Sequence, residues 1–495
     1  MEAEIELKLF FPENKREALV SLLNSLPHSD AKGATHLTNS YYDTPELQLR
    51  QWDMGLRVRG RNGNYEQTIK TAGTVVGGVH SRPEYNIDID QAKVNLSLFP
   101  QAIWPQGADI DAVQASLVSL FDTDFTRMSW HIYIDESLVE VALDIGSITA
   151  QGISEPLCEL EFELLAGDAQ ALLSLASRVT EQIPARLGRA SKAQRGYRLA
   201  AMASPLQLET LEFIALPQGG SLKQALVTLL ETGLDRWQQL EAMLLESREA
   251  RAQLPLLGYR LRACIRLLRC TLEQFSLLDD ALQQAFAAVE AHLDFVEPGL
   301  SLCELLDNDG ALLGNLSEPE GLLDAVNLQL SEMAIPQQID AMLMDVAYGH
   351  LQVRLVSLLM AINAGQVRID ELQSLQIFAD TLQEASWQRI VELMPSNAEL
   401  SSEDYQSFAK ALDESIFVGV AYGELYRQKP RDQFRAPWQD LVLGIRTLAA
   451  YRRLREIATQ LGRDIGDWLD NKEQSLLFAM EHSRRSALKV QPYWR

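Results

Sequence analysis

The sequence predicts an α+β protein in which an antiparallel sheet or barrel precedes an all-α bundle. Three observations carry this reading. Apolar residues recur with period two before about residue 203 and at three- or four-residue steps after it. Turn clusters such as Gly60–Gly63, Gly77–Gly78 and Gly107–Asp109 punctuate the first part. Gly and Pro separate long apolar stripes in the second. The 495 residues allow two to four domains, and 47% hydrophobic with 23% charged residues is an ordinary globular composition. Disordered and collagen-like architectures are excluded.

Period-two runs at 4–10, 56–61, 65–70, 83–89, 130–134, 139–144 and 157–164 predict strands, with helices at 13–26 and 168–183. The first domain is expected at 1–203 and a linker at 204–220, where Ala203-Ser-Pro and Leu216-Pro-Gln-Gly-Gly220 break the pattern. The helical domain is expected at 221–495. Leu222, Leu226, Leu229, Gly233, Trp237, Leu240 and Leu244 form its first stripe. Similar stripes recur at 256–275, 279–295, 338–363, 369–394, 403–428, 438–461 and 470–489, the signature of a bundle. Trp387, Trp438 and Trp468 are expected in its core.

The formal net charge is −24, from 68 acidic and 44 basic residues, which argues against nucleic acid and an anionic membrane as partners. The start, Met-Glu-Ala-Glu-Ile-Glu-Leu-Lys, lacks the basic and apolar regions of a secretory signal, and no run of about 18 apolar residues occurs. Cys158, Cys264, Cys270 and Cys303 make no C-x-x-C pair. A cytoplasmic protein is expected. The seven histidines form no H-x-x-x-H cluster, so any metal is expected on carboxylates and water, which suits Mg²⁺ or Mn²⁺.

Alternate residues of a strand share a face. Glu2, Glu4, Glu6 and Lys8 therefore point one way while Ile5, Leu7 and Leu9 point the other. Arg57, Arg59 and Arg61 share a face. So do Thr68 and Lys70; Arg82, Glu84, Asn86 and Asp88; Glu140 and Asp144; and Glu159, Glu161 and Glu163. A solvated face explains any one of these strands. Six nearly pure charged faces instead suggest a polar-lined barrel, because carboxylates in line repel unless cations lie among them. Glutamates would hold a divalent metal, and Lys and Arg would hold a polyanion, the combination that metal-assisted phosphoryl transfer requires.

The motifs resemble the CYTH superfamily, the triphosphate tunnel metalloenzymes. E-x-E-x-K stands at Glu4-Ile-Glu6-Leu-Lys8, followed by Asn39-Ser-Tyr-Tyr-Asp-Thr-Pro45, Leu49-Arg50 and Met54-Gly-Leu-Arg-Val-Arg59. Thr68-Ile-Lys70, Arg82-Pro-Glu84, Glu140 to Asp144, Glu159-Leu-Glu161 and Ser191-Lys192 complete the series. The resemblance covers about residues 1–200. It implies an eight-stranded antiparallel β-tunnel containing Mg²⁺ or Mn²⁺. It implies Glu4, Glu6, Glu159 and Glu161 as metal-binding acids, and Lys8, Arg57, Arg59, Lys70, Arg82, Arg127 and Lys192 as phosphate-binding cations. Glu4, Glu6, Lys8, Glu159 and Glu161 form the implied catalytic set. The chain departs from the family at Asn86, often an acid, and at Phe125, often a base. Tyr41, Tyr42 and Asp43 are expected to pack and form a turn, and Glu2 and Glu163 to stand at the rim, where Glu163 alternatively extends the second acidic row.

The helical part resembles a CHAD domain through Tyr259-Arg-Leu-Arg262-Ala-Cys-Ile-Arg266-Leu-Leu-Arg269, with three arginines on one helix face. A CYTH domain followed by a CHAD domain resembles bacterial inorganic triphosphatases. The expected activity is metal-dependent hydrolysis of inorganic triphosphate to pyrophosphate and phosphate. A thiamine triphosphatase or a class IV-type adenylyl cyclase is the enzymatic alternative, and a non-catalytic polyphosphate-binding module the other. CHAD domains are associated with polyphosphate. Basic clusters at Arg427–Arg435, Arg452–Arg455 and Arg484–Lys489 offer it a patch, but the acidic excess after residue 200 speaks against one.

Overall fold

The structure is a computed structural model that describes residues 4–202, 213–314, 316 and 319–495. Glu2 and residues 203–212, which include the first part of the expected linker, lie outside the described residues. The fold is α+β, an antiparallel curled sheet followed by helices. The chain divides into two compact units. The first comprises the N-terminal part to Gln207 together with Leu343–Ala361, and the second comprises Leu208–Met342 and Ile362–Arg495.

In the first unit the strands are β1 (Glu4–Phe10), β2 (Ser29–Asp43), β3 (Gly55–Arg61), β4 (Asn64–Lys70), β5 (Thr74–Val76), β6 (Val79–Arg82), β7 (Glu84–Ile89), β8 (Val118–Ile134), β9 (Ser137–Ala150), β10 (Ile153–Ala166) and β11 (Arg186–Leu187). Eight of these have six or more residues. The order is β5-β6-β1-β10-β9-β8-β2-β3-β4-β7, with β11 also on β1, and every pairing is antiparallel.

The expected strand at 83–89 shared one face from Arg82 to Asp88, whereas the structure bends the chain at Pro83. Proline has no N–H to continue a ladder. Residues before it pair with β1 and residues after it with β4, so one bent segment joins the two ends of the sheet. Glu4 on β1 and Lys70 on β4, third and ninth in the strand order, consequently meet at 2.6 Å.

The face opposite the charges is apolar. Leu7, Leu9, Leu160 and Phe162 are fully buried, as are Leu172, Leu175, Ala176 and Val179 of the helix Gln170–Thr180, which packs on β1, β9 and β10. Each such leucine contributes about 1.5–3 kcal/mol, which fixes the register that turns Glu4, Glu6 and Lys8 inward.

The second unit is helical. Its helices are Leu222–Glu246, Leu254–Gln274, Asp280–Ala291, Val296–Gly310, Glu320–Glu332, Ile335–Leu343, Leu375–Leu393, Ser402–Tyr422, Gln428–Gln460 and Gly466–Ala487. One apolar cluster gathers Leu222, Leu229, Leu267, Phe417 and Tyr422, and another gathers Trp387, Phe434, Trp438, Leu441 and Met480. Trp468, expected in the core, is instead half-buried, its ring edge-on to Tyr451. The stripe expected at 338–363 is broken near Asp345 into Ile335–Leu343 and Val346–Asn363, and the latter belongs to the first unit up to Ala361.

Candidate active site

The charged face of the curled sheet lines a cavity of about 1150 Å³. It contains two kinds of charge. The first is a neutralised row at its base. Arg127 on β8, Asp144 on β9 and Glu159 on β10 stand directly opposite one another across the ladders, with Glu161 opposite Lys8 of β1. Oxygens of Asp144, Glu159 and Glu161 lie within 4.8 Å of one another. Three carboxylates at that spacing repel unless cations stand between them. Arg127 forks onto Asp144 with two bonds of 2.7 Å and reaches Glu161 at 2.6 Å. Lys8 meets Glu161 at 2.9 Å. Lys192 meets Asp144 at 2.8 Å, Glu161 at 3.1 Å, and Glu159.

Burial works against every charge in this row. The facing carboxylates overcome it for Lys8, Arg127 and Lys192, raising all three. Lys192 and Lys8 overcome it for Glu161, and Lys192 and Arg127 for Asp144, lowering both. Only Glu159, fully buried, is left raised by burial. Phe125 underlies two of the cations, with its ring centre 5.2 Å from Lys192 Nζ and 5.9 Å from the Arg127 guanidinium. An aromatic face there favours the same cations that a basic residue would repel.

The second kind is unbalanced. Glu4, Glu6 and Glu163 line the cavity, as does Glu161 of the neutralised row, whereas Glu159 and Asp144 do not. Lys70 meets Glu4 at 2.6 Å and Glu84 at 2.8 Å. Burial and a hydrogen bond with Glu84 push Glu4 up to about 8, while that hydrogen bond, Arg57 and Lys70 together outweigh burial and hold Glu84 low. Burial and Glu140 raise Glu163. Lys8 and Lys70 outweigh burial to lower Glu6. His80, opposite Glu6 on β6, is pushed down to about 4 by burial and Lys8.

Across the cavity stand arginines with donors to spare. The Nε of Arg57 and of Arg82 is buried and has no acceptor. Arg57 reaches Glu84 at 3.1 Å through another nitrogen. Arg59 donates to the Asn39 side-chain oxygen at 2.9 Å, and burial with the neighbouring Arg57 and Arg127 pushes it down to about 10. Buried donors ordinarily find partners. Guanidinium N–H groups that lack one, aimed into a polar cavity, are an anion site.

The residues implied by the sequence motifs therefore converge, with Glu159 behind the cavity wall rather than on it. Asp144 and Glu84 lay on charged faces read from the sequence but were not assigned roles. Asn39 opened a quoted motif but was assigned no role, and nothing in the sequence marked His80; long-range pairing positions both. Asn86 accepts from Thr68 Oγ1 at 2.7 Å. Asp43 is a turn residue: its carboxylate accepts from the backbone N–H groups of Thr44, Leu49 and Arg50 and from Tyr197 Oη at 3.1 Å. Tyr41 stacks on Phe121 at 4.5 Å.

In the second unit, arginines singled out from the sequence face carboxylates. Arg262 forks onto Glu297. Arg266 meets Glu290 at 2.8 Å and Arg269 approaches it at 3.5 Å. Arg431 and Arg484 are buried against Glu424 and Glu481, each at 2.8 Å. Arg455 meets Asp470 at 2.8 Å.

A curled antiparallel sheet thus carries opposed carboxylates and arginines around one cavity. Residues 2–197 match the family model of the CYTH domain. An inorganic triphosphatase of Haemophilus influenzae is 36% identical over 165 residues, 33% of this chain and 46% of that protein. The chain thus spans less than half the length of the curated relative it matches. Among solved structures, a Hippeastrum protein described as an adenylyl cyclase candidate with a dominant triphosphatase activity is 18% identical, covering 42% of this chain and 100% of its own, with a TM-score of 0.29. The CHAD domain from the plant Ricinus communis is 18% identical, covering 57% of this chain and 96% of its own, with a TM-score of 0.44.

Proposed function

We propose that the chain is a metal-dependent inorganic triphosphatase, converting triphosphate and water to pyrophosphate and phosphate in the cavity of the curled sheet. The observation that carries this reading is the pair of buried guanidinium donors of Arg57 and Arg82 that lack an acceptor, in residues lining the same cavity as Arg59, Glu4, Glu6, Glu161 and Glu163. A bare anion binder gains nothing from four carboxylates among its cations. A triphosphate, carrying about four negative charges, needs several Lys and Arg around it.

The donor set fits a divalent ion. It is all oxygen, as Mg²⁺ and Mn²⁺ prefer. Glu4 and Glu84 share the cation Lys70, at 2.6 and 2.8 Å. Glu4, Glu6, Glu161 and Glu163 would hold the ion. Asp144 and Glu159, whose oxygens with those of Glu161 lie within 4.8 Å of one another, already face Lys8, Lys192 and Arg127. When bound, such an ion neutralises phosphate oxygens and lowers the pKa of a coordinated water. The arginines bind and orient the phosphate chain, Lys70 bridges the acidic and basic walls, and Lys8 and Lys192 fix the acidic row. The relative from Haemophilus influenzae supports inorganic triphosphate over nucleotide substrates. Among the described residues no helix is long and apolar enough to cross a membrane.

The test is phosphate release from inorganic triphosphate, thiamine triphosphate and ATP side by side, with and without EDTA. Metal-dependent release with inorganic triphosphate preferred is expected. Equal release in EDTA removes the metal from the reading, and preference for another substrate reassigns the enzyme.

A further inference from the structure

The helix Val346–Asn363 stands far downstream of the sheet in sequence, yet Leu343–Ala361 belongs to the same compact unit. Its Gln352 is fully buried, and its side-chain oxygen accepts the backbone N–H of Leu187 at 3.0 Å. Leu187 and Arg186 are the whole of β11, which pairs Leu187 with Leu9 and Arg186 with Phe10 of β1. The next residue, Gly188, donates its N–H to the Lys8 carbonyl at 2.8 Å. A Cβ at Gly188 would lie 2.9 Å from Lys8 Cγ, so this backbone packs directly on the lysine side chain. Four residues on, Lys192 enters the same charged row.

Two ladder residues cannot hold their own position, because strands are ordinarily 3–10 residues long. The outer N–H of β11 is an open edge that needs an acceptor. Gln352 supplies it. The close approach depends on Gly349, where a Cβ would fall 1.7 Å from the carbonyl oxygen of Ala185. His350 adds a second tie, its Nδ1 at 3.2 Å from Thr180 Oγ1. The helix is thus bonded to the segment that runs from Ala185 to Lys192, and through it to β1.

We propose that Gln352 is a positioning residue for the active site: it pins β11 and so sets Lys8 and Lys192 against Glu161. This rests on the triphosphatase reading for its kinetic consequence alone, since the coupling itself is readable in the backbone. The experiment uses the full chain and two variants. Gln352→Met keeps the volume and removes the acceptor, whereas Gln352→Glu keeps an acceptor oxygen.

In Gln352→Met, amide hydrogen exchange is expected to accelerate about tenfold in peptides covering 186–192 and 7–10, and not in 16–25. Turnover of inorganic triphosphate is expected to fall about tenfold, with KM within about twofold, because misplacement costs rate before it costs binding. Gln352→Glu is expected to restore both. Unchanged exchange at 186–192 overturns the proposal, as does acceleration spread equally through the unit. If the parent chain does not hydrolyse triphosphate, the proposed function falls while the exchange data still decide the role of Gln352.

Discussion

Two groups of charge in one cavity behave differently. At its base, Asp144, Glu159 and Glu161 face Lys8, Arg127 and Lys192, and the three acids match the three cations. Along the wall, Glu4 is raised to about 8 by burial and its hydrogen bond with Glu84 in spite of Lys70, and Arg57 and Arg82 keep buried donors without acceptors. The same residue types thus serve opposite purposes. A closed set of charges holds strands in place, and an open set waits for ions from solution. The arginines of the helical unit that face Glu290, Glu297, Glu424 and Glu481 belong with the closed kind, which leaves them little free charge for a polyanion.

The comparison breaks most visibly at its closed end. Removing one partner of a buried charge set strands the other, at about 3–5 kcal/mol. Lys192→Met, which leaves Asp144 and Glu159 short of a cation, is expected to cost that much stability in urea unfolding followed by circular dichroism. A loss below about 1 kcal/mol would mean the row is not closed. At the open end the signs reverse. Glu6→Gln is expected to lower triphosphate turnover about 10²-fold while leaving the unfolding midpoint unchanged, and metal titration by calorimetry is expected to weaken in parallel. Retained turnover with metal binding unchanged would remove Glu6 from the site.

The closed and open sets were unequally legible in the sequence. Period two along β1 turned Glu4, Glu6 and Lys8 to one face without reference to any neighbour, and the same held for Arg57 and Arg59 on β3. Which carboxylate faces the cavity was not legible. Glu159, Glu161 and Glu163 alternate identically, and only the register of β10 against β1 puts Glu163 opposite Glu6 and leaves Glu159 beneath the lysines. β2 escaped the pattern because Ser29–Asp43 has few apolar residues and is held by ladders to β3 and β8 on either side. The helix Val296–Gly310 escaped because Pro298 and Gly299 read as breakers. Proline is tolerated in a first turn, where N–H groups have no intrahelical partner. β11 is too short to have a pattern at all, and the apolar stripe around Gln352 looks the same whichever unit it packs against.

A smaller effect sharpens the open end. Arg82→Ala removes one unsatisfied buried guanidinium donor, so KM for triphosphate is expected to rise about tenfold with kcat little changed. Stability is expected to hold or increase. A fall in stability with KM unchanged would move Arg82 into the closed set.

The smallest effect is the surface control. Glu384 takes bonds from Arg495 at 2.6 Å and 2.9 Å and from Trp494 at 3.0 Å, and these hydrogen bonds hold it at about 2. A carboxylate lowered in the folded state adds stability that is fully present above its ordinary value of 4.5 and is lost as pH falls toward 2. Its side chain is 30% exposed and that of Arg495 is 50% exposed, so water and salt screen most of the attraction. Glu384→Gln is therefore expected to lower the thermal midpoint at pH 7 by no more than about 2 °C, and the gap from the parent chain is expected to narrow below pH 4.5 and close toward pH 2. A larger or pH-independent loss would mean that Glu384 acts through packing with Trp494 rather than through charge, since packing does not titrate.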